Sequence, residues 1–395
     1  MRQGIASLGQ RGWNNLKAVD FWLLVCVLVL AAFGLIMVFS ASYYASISEN
    51  NTPFYYLIRG GMWLVIGLGA MVFGMSFDYR KYNNGWFVLA VVLGCLGALV
   101  AVLFIGSNIN GATRWIAVGP VTIMPGEWAK VAIILFIAWY FGRRPNRIRS
   151  FFLGILPTIV VTGAFAFLII RQPNLSTAIT VIGIAVAMLI VAGMHWAYVI
   201  VAGVLGVGGI VSILVFMQES YWYTRMTNFI DPFQDLYGEG YQVAQSLLAL
   251  GSGGVTGVGL GKSVQKSLYL PEPQNDFILA IIGEELGFVG ILILMALYCV
   301  FIWRGMKIAI KAPDHFGMLL ASGVVLMIAI QVILNIAVVT ASMPATGINL
   351  PFISYGGNGI IIFLFASGVL LNISRHEGET DPVRTPGWSV CEPSV

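Results

Sequence analysis

The sequence predicts an all-α polytopic membrane protein, in which ten transmembrane helices carry one large extracytoplasmic loop between the seventh and eighth. Composition is the first reason, because 58% of the 395 residues are hydrophobic and the mean hydropathy is +0.88. Only 10% of the residues are charged, against about 25% in soluble domains. The second reason is a series of apolar runs, each near the roughly 20 residues that cross a hydrocarbon layer of about 30 Å.

Ten apolar runs of this kind follow one another along the chain, and each predicts one helix. They cover 20–42, 55–76, 85–106, 126–142, 151–170, 174–192, 196–217, 276–303, 317–341 and 350–373. The apolar core of the first run is longer than the roughly 7–15 residues of a signal peptide. We therefore expect this run to be a retained helix.

One membrane domain over 20–376 accounts for nearly the whole chain, with the large loop at 218–275 and cytoplasmic segments at 1–19 and 377–395, the latter a disordered tail. Basic residues set this orientation, because cytoplasmic loops are enriched in Lys and Arg. With the N-terminus inside, most of the 21 basic residues fall on inner segments: Arg2, Arg11, Lys17, Arg80, Lys81, Arg143, Arg144, Arg147, Arg149, Arg304, Lys307, Lys311, Arg375 and Arg384. Both termini are then cytoplasmic, and the large loop faces away from the nucleotide pool.

The segment 231–276 is the candidate functional region, because so long a loop is usually functional or disordered. It holds five carboxylates, two lysines and many glycines. Its 257–263 stretch resembles a nucleotide-binding P-loop, but Thr256 stands where the first glycine is required, and no strand–helix unit surrounds it. Two interpretations of this stretch remain. It is either a turn whose backbone N–H groups bind a phosphate or a simple flexible turn.

Charged residues within or beside the apolar runs are costly to insert, and they usually pair or serve a site. Glu127 and Lys130 lie three residues apart on one helix face, as a mutual ion pair or as part of a site. Glu284 and Glu285 lie on adjacent faces of the eighth run, so at least one points into the bundle. Three arginines at outer helix ends or in loops are interfacial anchors individually, and together they would form a cationic collar for a pyrophosphate: Arg59, Arg114 and Arg171.

Asp276 is the most suggestive single residue. It follows two prolines that stiffen the approach, Pro271 and Pro273, and it precedes an apolar run. One interpretation is a helix cap, a position that Asp favours. The other is a rigidly presented carboxylate at the lipid–water boundary beside Glu272, where low polarity and a like charge raise a carboxyl pKa towards the range of a general base.

Several sequence blocks resemble the SEDS family of bacterial cell-wall proteins, named for shape, elongation, division and sporulation. The blocks are GATRWIAVG and MPGEWAK within 111–130, RQPNLSTA at 171–178, GEGYQVAQSLLALGSGG at 238–254, LPEPQNDFILAIIGEELGF at 270–288 and MPATGINLPFISYGG at 343–357. They extend over nearly all the predicted spans. The Pro-Glu-Pro sequence before Asp276 is more similar to the division branch, or to its sporulation relative, than to the elongation branch.

The resemblance implies a peptidoglycan glycosyltransferase that polymerises lipid II, a disaccharide-pentapeptide on undecaprenyl pyrophosphate. The essential aspartate of the family falls on Asp276, which we expect to be catalytic. The expected substrate-binding residues match family motif positions or carry charge on the same face: Arg59, Arg114, Glu127, Lys130, Arg171, Gln245, Ser246, Lys262 and Glu272. One departure is Asn174, which stands where the family has a carboxylate, so we assign that position no charge-dependent role.

The resemblance also implies partners and a place in the cell. We expect a class B penicillin-binding transpeptidase, other divisome proteins and the bacterial cytoplasmic membrane, at the division septum, with no nucleic acid. A divalent cation, Mg or Mn, is implied by the chemistry, although the three histidines lie far apart and no dedicated site is identified. Two alternatives stay open, a lipid II flippase and a non-catalytic scaffold for a transpeptidase. Removal of Asp276 distinguishes them, because it would inactivate only a polymerase.

Overall fold

The computed structural model describes residues 19–109, 112–119, 121–216, 232–233, 240–345 and 347–377. The predicted helical class is confirmed by α1 (Phe21–Asn50), α2 (Tyr55–Ser76), α3 (Gly85–Ile105), α4 (Pro125–Gly142), α5 (Leu156–Ile170), α6 (Leu175–Val191), α7 (Trp196–Phe216), α8 (Tyr241–Gly253), α9 (Ile278–Lys311), α10 (His315–Val339) and α11 (Gly357–Ser374). The N-terminal segment, nearly all of the C-terminal tail and most of 217–239 lie outside the described residues.

Between α3 and α4 the chain forms a small antiparallel sheet that the sequence analysis did not predict. Its strands are β1 (Ser107–Ile109), β2 (Ala112–Val118) and β3 (Val121–Ile123), with β2 in the middle. The strands fall in a segment that the apolar runs leave as a connection, so only its short alternating pattern could have indicated them.

Each of the ten predicted runs contains a helix, and seven described segments are long and apolar enough to span a membrane. These are Phe21–Asn50, Tyr55–Ser76, Gly85–Ile105, Phe151–Ile170, Ile278–Lys311, His315–Val339 and Gly357–Ser374. The count of ten spans therefore stays a prediction. Three predicted limits are wrong. Helix α1 continues to Asn50, and helix α9 continues to Lys311. The last helix begins at Gly357 because Pro351 and a left-handed Phe352 interrupt the apolar run.

Alternating helices place the connections at two ends of the bundle. The hairpin end, named for the sheet, holds the described residues of 51–54, 106–124, 171–174, 240–277 and 340–356. One contact within it is the hydrogen bond from Asn358 to the Thr122 carbonyl, at 2.7 Å. At the opposite end Tyr79 donates to the Asp314 carboxylate (2.6 Å), and Arg304 pairs with Asp20. The predicted inner arginines and lysines that the structure describes lie at this opposite end, and its cytoplasmic orientation stays a prediction.

Helix α9 is broken at Gly287, whose φ of 67° no continuous helix can contain. The glycine-rich segment that precedes α9 lies against the break. Four backbone hydrogen bonds join the two: Val258 N–H to Glu284 C=O (2.9 Å), Gly259 N–H to Glu285 C=O (3.0 Å), Phe288 N–H to Gly254 C=O (2.9 Å) and Val289 N–H to Val255 C=O (3.1 Å). Polar backbone freed in a membrane helix must be satisfied by protein, and this segment satisfies it.

This packing argues against the predicted phosphate-binding turn at Val258 and Gly259, and the flexible turn stays a prediction. The N–H groups of Val258 and Gly259 already donate to α9 carbonyls. Gly257 approaches α9 so closely that an added Cβ would lie 2.2 Å from the Glu285 carbonyl oxygen. The glycines serve this close backbone packing, for which only a residue without a Cβ has room.

The predicted orientation can be tested with cysteine at two exposed positions, Thr256 at the hairpin end and Asn146 at the opposite end. In a cysteine-free background, Thr256→Cys is expected to react with a membrane-impermeant thiol reagent in intact cells. Asn146→Cys is expected to react only after the membrane is permeabilised. Labelling of Asn146→Cys alone in intact cells would place the hairpin end in the cytoplasm.

Candidate functional site

Asp276 lies at the hairpin end, half-buried, where the large loop enters α9. The helix begins at Ile278, and Phe277 occupies its cap position without a side-chain cap bond. The helix-cap interpretation of Asp276 is therefore wrong. Its backbone carbonyl accepts a hydrogen bond from the Asn335 side chain of α10, at 2.8 Å.

The Asp276 carboxylate lies against the segment 340–356. Gly347 adopts a φ of +75°, and a Cβ added there would lie 3.1 Å from Asp276 Oδ2. The next residue, Ile348, accepts a second hydrogen bond from the Asn335 amide, at 2.6 Å. Two chain segments and α10 thus meet around one carboxylate.

The residues just before Asp276 also contact segment 340–356. Gln274 is buried, and its carbonyl accepts the Tyr355 N–H at 2.8 Å. Exposed Glu272 has a φ of +45°, and Asn275 Nδ2 donates to its carboxylate at 2.8 Å. The chain just after Pro273 is thereby joined to segment 340–356 through the Gln274 carbonyl.

Arg59 lies near this group. Its guanidinium donates to the Tyr55 hydroxyl at 2.6 Å. Burial raises the pKa of the Tyr355 phenol, and the positive charge of nearby Arg59 opposes that rise. The ring of Tyr355 packs edge-on against Tyr56, with centroids 5.0 Å apart. A half-buried cation thus lies on the Tyr355 side of the Asp276 site.

The predicted cationic collar divides into two groups. Arg114 of β2 donates to the backbone carbonyls of Gln172 and Pro173. Arg171, one residue earlier in that connection, is exposed, and its guanidinium lies over the Phe167 ring, 5.3 Å from the centroid. Their contacts connect Arg114 and Arg171 to the end of α5, whereas those of Arg59 lead to Tyr355.

Glu127 and Lys130 form the mutual ion pair that was one of the two predictions, with Lys130 Nζ 2.8 Å from Glu127 Oε2. The pair lies inside the bundle rather than at its surface, since Lys130 is 2% exposed. Lys130 also approaches the Phe363 ring of α11, at 5.8 Å from the centroid. Asn174 caps α6 by accepting the Thr177 N–H, which an uncharged side chain can do.

Both glutamates of α9 point into the protein, and they bind the large loop. Glu285 accepts a hydrogen bond from the Ser40 hydroxyl of α1 (2.7 Å) and forms an ion pair with Lys266 (2.7 Å). Glu284 accepts from the Ser263 hydroxyl and from the Val264 N–H (2.8 Å). We call these side chains, Ser40, Ser263, Lys266, Glu284 and Glu285, the carboxylate lock.

The other predicted substrate-binding residues lie elsewhere at the hairpin end. Lys262 is exposed in the glycine-rich segment, and Gln245 is half-buried on α8. Ser246 is fully buried, and its hydroxyl donates to the Val339 carbonyl at the end of α10 (2.9 Å). In this conformation Ser246 anchors α8 and contacts no open surface.

Two further features bear on ligands. Within the described ranges, no three His, Cys, Asp or Glu side chains come together as a metal site, so these residues do not fit a protein cage for a divalent cation. A cavity of about 360 Å³ runs between α3, α4, α10 and α11. Its lining is apolar and includes Phe87, Cys95 and Ala98 of α3 and Pro125, Trp128 and Leu135 of α4.

Comparison with known proteins identifies the family. The model of a family described as "Cell cycle protein", which comprises FtsW, RodA and SpoVE, matches residues 21–379. The chain belongs to this family. It is 41% identical over 357 residues to stage V sporulation protein E of Bacillus subtilis, covering 90% of this chain and 97% of that protein. It is 36% identical over 365 residues to a probable peptidoglycan glycosyltransferase FtsW of Geobacter metallireducens, covering 91% and 96%.

Solved structures agree with this assignment. A chain of a peptidoglycan synthase complex superposes with a TM-score of 0.75 at 25% identity, covering 91% of this chain and 99% of that one. The crystal structure of RodA from Thermus thermophilus gives 0.66 at 26% identity, covering 91% and 98%. The predicted SEDS resemblance is confirmed, and the chain is an integral membrane protein of this bacterial family.

Sequence reasoning missed several residues that shape the site in this family member. Asn335 and Gly347 contact Asp276, and Lys266 and Ser40 bind Glu285. A polar residue within an apolar run is a signal for Asn335. The Lys266 and Ser40 contacts join positions 19 and 245 residues away from Glu285, and no local pattern indicates them.

The carboxylate lock predicts a specific cost for removing its cation. Lys266→Met leaves the buried Glu285 charge without its partner, and breaking a buried pair typically costs about 3–5 kcal/mol. We expect a clear fall in the thermal midpoint of the purified protein. Lys266→Met combined with Glu285→Met removes both charges and is expected to recover much of that loss.

Lys262→Met is the matched control, because Lys262 is exposed in the same segment. It is expected to leave the thermal midpoint unchanged. Equal midpoints for Lys266→Met and the parent would show that the Lys266–Glu285 pair contributes nothing to stability.

Proposed function

We propose that this chain polymerises lipid II into glycan strands at the outer face of the cytoplasmic membrane, as a peptidoglycan glycosyltransferase with Asp276 as its catalytic base. The observation that carries the proposal is the Asp276 carboxylate, half-buried and seated against Gly347 at the hairpin end. The names of the FtsW relatives supply the reaction class. The roles of individual residues in the proposed reaction follow from the side chains around the Asp276 carboxylate.

Asp276 takes the proton of the acceptor sugar 4-hydroxyl as that oxygen attacks the anomeric carbon of the donor. The bond from this carbon to the lipid pyrophosphate breaks, and the pyrophosphate leaves with its electron pair. A positioned general base contributes about 10²–10⁴-fold. The rest of the acceleration depends on orientation and on positive charge near the leaving oxygen.

Arg59 is the favoured cation for the leaving group, because it is half-buried on the Tyr355 side of the site. Lys130 is already paired with Glu127 inside the bundle, so it would reach a pyrophosphate only after that pair opens. Arg114 and Arg171 would hold phosphate or sugar at the other side of the hairpin end. A divalent cation supplied with the pyrophosphate would add charge, and the proposal assigns it no protein cage.

The apolar cavity is the proposed seat of one polyprenyl chain. It extends from Ile123 and Trp128 near the hairpin end to Tyr82 and Phe87 near the opposite end, so a tail that enters beside the headgroup would follow the membrane normal. Each buried CH₂ contributes about 0.8 kcal/mol. A lipid-linked substrate therefore gains affinity here without any polar contact.

We further propose a division-type enzyme at the septum, with cytoplasmic termini and a class B penicillin-binding transpeptidase and other divisome proteins as partners. The peptidoglycan synthase complex among the similar structures supports a partner of this kind. The FtsW relatives support division, and the sporulation relative is the alternative.

The flippase alternative needs a polar path through the bundle. Glu127 pairs with Lys130, and Glu284 and Glu285 bind the large loop. With these groups engaged, a polymerase is the better assignment. A non-catalytic scaffold would have no need of a carboxylate positioned as Asp276 is against Gly347.

Asp276→Asn tests the catalytic assignment. The amide keeps the shape of the side chain but cannot accept the proton, so polymerisation of labelled lipid II by the purified protein with its transpeptidase is expected to fall about 10²-fold or more. Stability is expected to stay within about 1 kcal/mol, because the exchange is isosteric, and lipid II binding is expected to persist.

Asp276→Glu moves the carboxylate by one methylene and is also expected to lose much of the rate, because geometry limits proton transfer. Glycan strands made at the parental rate by Asp276→Asn would remove Asp276 from catalysis, whereas a parent protein that makes no strands would favour the flippase or the scaffold.

The cavity assignment predicts a dependence on lipid length. Ala98→Trp fills the cavity and is expected to raise the KM for lipid II with a full polyprenyl chain by about tenfold or more, since several CH₂ groups lose their seat. A short-chain analogue is expected to be used as by the parent. Leu93→Trp, on the exposed side of α3, is the control, and an identical KM in all three proteins would exclude the cavity as the tail site.

A further inference from the structure

The side-chain amide of Asn335 joins three separate parts of the chain. Asn335 lies in α10 and is 0% exposed. Its Nδ2 donates to the carbonyl of Asp276, at 2.8 Å, and to the carbonyl of Ile348, at 2.6 Å. Both hydrogens of one NH₂ group are therefore used, and each is given to a different segment.

These two segments bound the seat of the carboxylate. One carries Asp276, and the other carries Gly347, whose added Cβ would lie 3.1 Å from Asp276 Oδ2. The spacing between the carboxylate and the backbone it rests against is therefore set by two hydrogen bonds from a single side chain. A shift of either segment has to break one of them.

The chemistry of the position favours asparagine. Two uncharged donors on one short side chain are available only from Asn, since Gln is a methylene longer, Ser and Thr have one donor, and ionised Asp has none. Without them two carbonyls would be buried unpaired, at an appreciable cost.

The remaining atom of the amide indicates what this arrangement serves. Asn335 Oδ1 is buried and has no hydrogen-bond partner among the described residues. A buried polar group left partly unsatisfied is costly. An apolar residue would fill the same place without that unsatisfied oxygen, so the two donated bonds are the reason for the amide.

We propose that Asn335 is the positioning residue of the glycosyl transfer, which fixes the Asp276 carboxylate at the distance and angle needed to accept the acceptor proton. This inference rests on the proposed function. The carboxylate lock supports it from the other side, because Lys266 holds the loop ten residues before Asp276. Along the chain, Lys266 is bound to α9, and ten residues later Asp276 is bound to α10.

The test is a series of substitutions that removes donors one at a time. Asn335→Ser keeps one donor, and Asn335→Leu keeps none with the same number of side-chain heavy atoms. Gln331→Met, one turn earlier in the same helix, is the matched control, because Gln331 is also buried and its Oε1 also has no described partner. The full-length protein with its transpeptidase is assayed for kcat and KM on labelled lipid II, per folded protein, with Asp276→Asn measured alongside.

We expect kcat to fall about 10-fold in Asn335→Ser, the worth of one hydrogen bond. In Asn335→Leu we expect a fall of about 10²-fold, the cost of a misplacement near 1 Å. The KM is expected to stay parental, because the amide contacts no substrate. Gly347→Ala, which crowds Asp276 Oδ2 from the other side, is expected to give the same pattern of lower kcat at constant KM.

Parental kcat in both Asn335 variants would overturn the proposal, as would an equal loss in Gln331→Met or a loss confined to KM. Failure of both variants to accumulate while Gln331→Met accumulates would assign the amide to folding and would also overturn it. If the parent makes no strands, the proposed polymerase function fails, and if Asp276→Asn makes them at the parental rate, the assignment of Asp276 as the base fails. If Asp276→Asn loses its activity while both Asn335 variants keep the parental kcat, only the positioning role of Asn335 is excluded.

Discussion

The structure at the hairpin end depends on two carboxylates, Glu284 and Glu285, buried at a break in a membrane helix. Burying charge is costly unless every group finds a partner. Here the partners are a serine from α1 and the side chains and backbone of the glycine-rich segment. That segment must therefore lie against α9 for the carboxylates to be tolerated. Once it does, the chain has only the nine residues between Lys266 and Asp276 in which to depart from this position.

The two ends of the proposed substrate meet two kinds of surface. Its lipid would meet an apolar cavity whose walls come from four helices, and this needs only shape and hydrophobicity. Its sugars and pyrophosphate would meet the hairpin end, where Asp276 and Arg59 have fixed neighbours. Orientation at a reacting centre depends on such fixed neighbours. The position of the carboxylate is thus set by protein contacts that exist before any ligand arrives.

Local patterns in the sequence predicted the apolar helices, the i,i+3 pair of Glu127 and Lys130, and the inward direction of the α9 glutamates. The two prolines and the following apolar run singled out Asp276, and the family motifs made it the expected catalytic residue. Local patterns could not predict contacts between distant positions, such as that of Glu285 with Ser40. Hydropathy and spacing describe only one element at a time. The break at Gly287 was hidden for the same reason. The backbone groups freed at the break bond to a segment elsewhere in the chain, and the two glutamates just before it indicated an inward face without indicating a break.

Backbone strain is concentrated where these segments meet. Among the described residues, four non-glycine residues with positive φ lie in the two segments that enclose the seat: Leu268, Glu272, Ala341 and Phe352. Each such conformation costs about 1–3 kcal/mol and persists only when its surroundings determine it fully. The carboxylate lock determines one segment, and the Tyr298 hydroxyl, which donates to the Pro351 carbonyl at 2.5 Å, helps to determine the other. Strained backbone held on both sides of one carboxylate fits a site that must keep its geometry. This supports the proposed placement of the chemistry at Asp276 rather than at the paired charges inside the bundle.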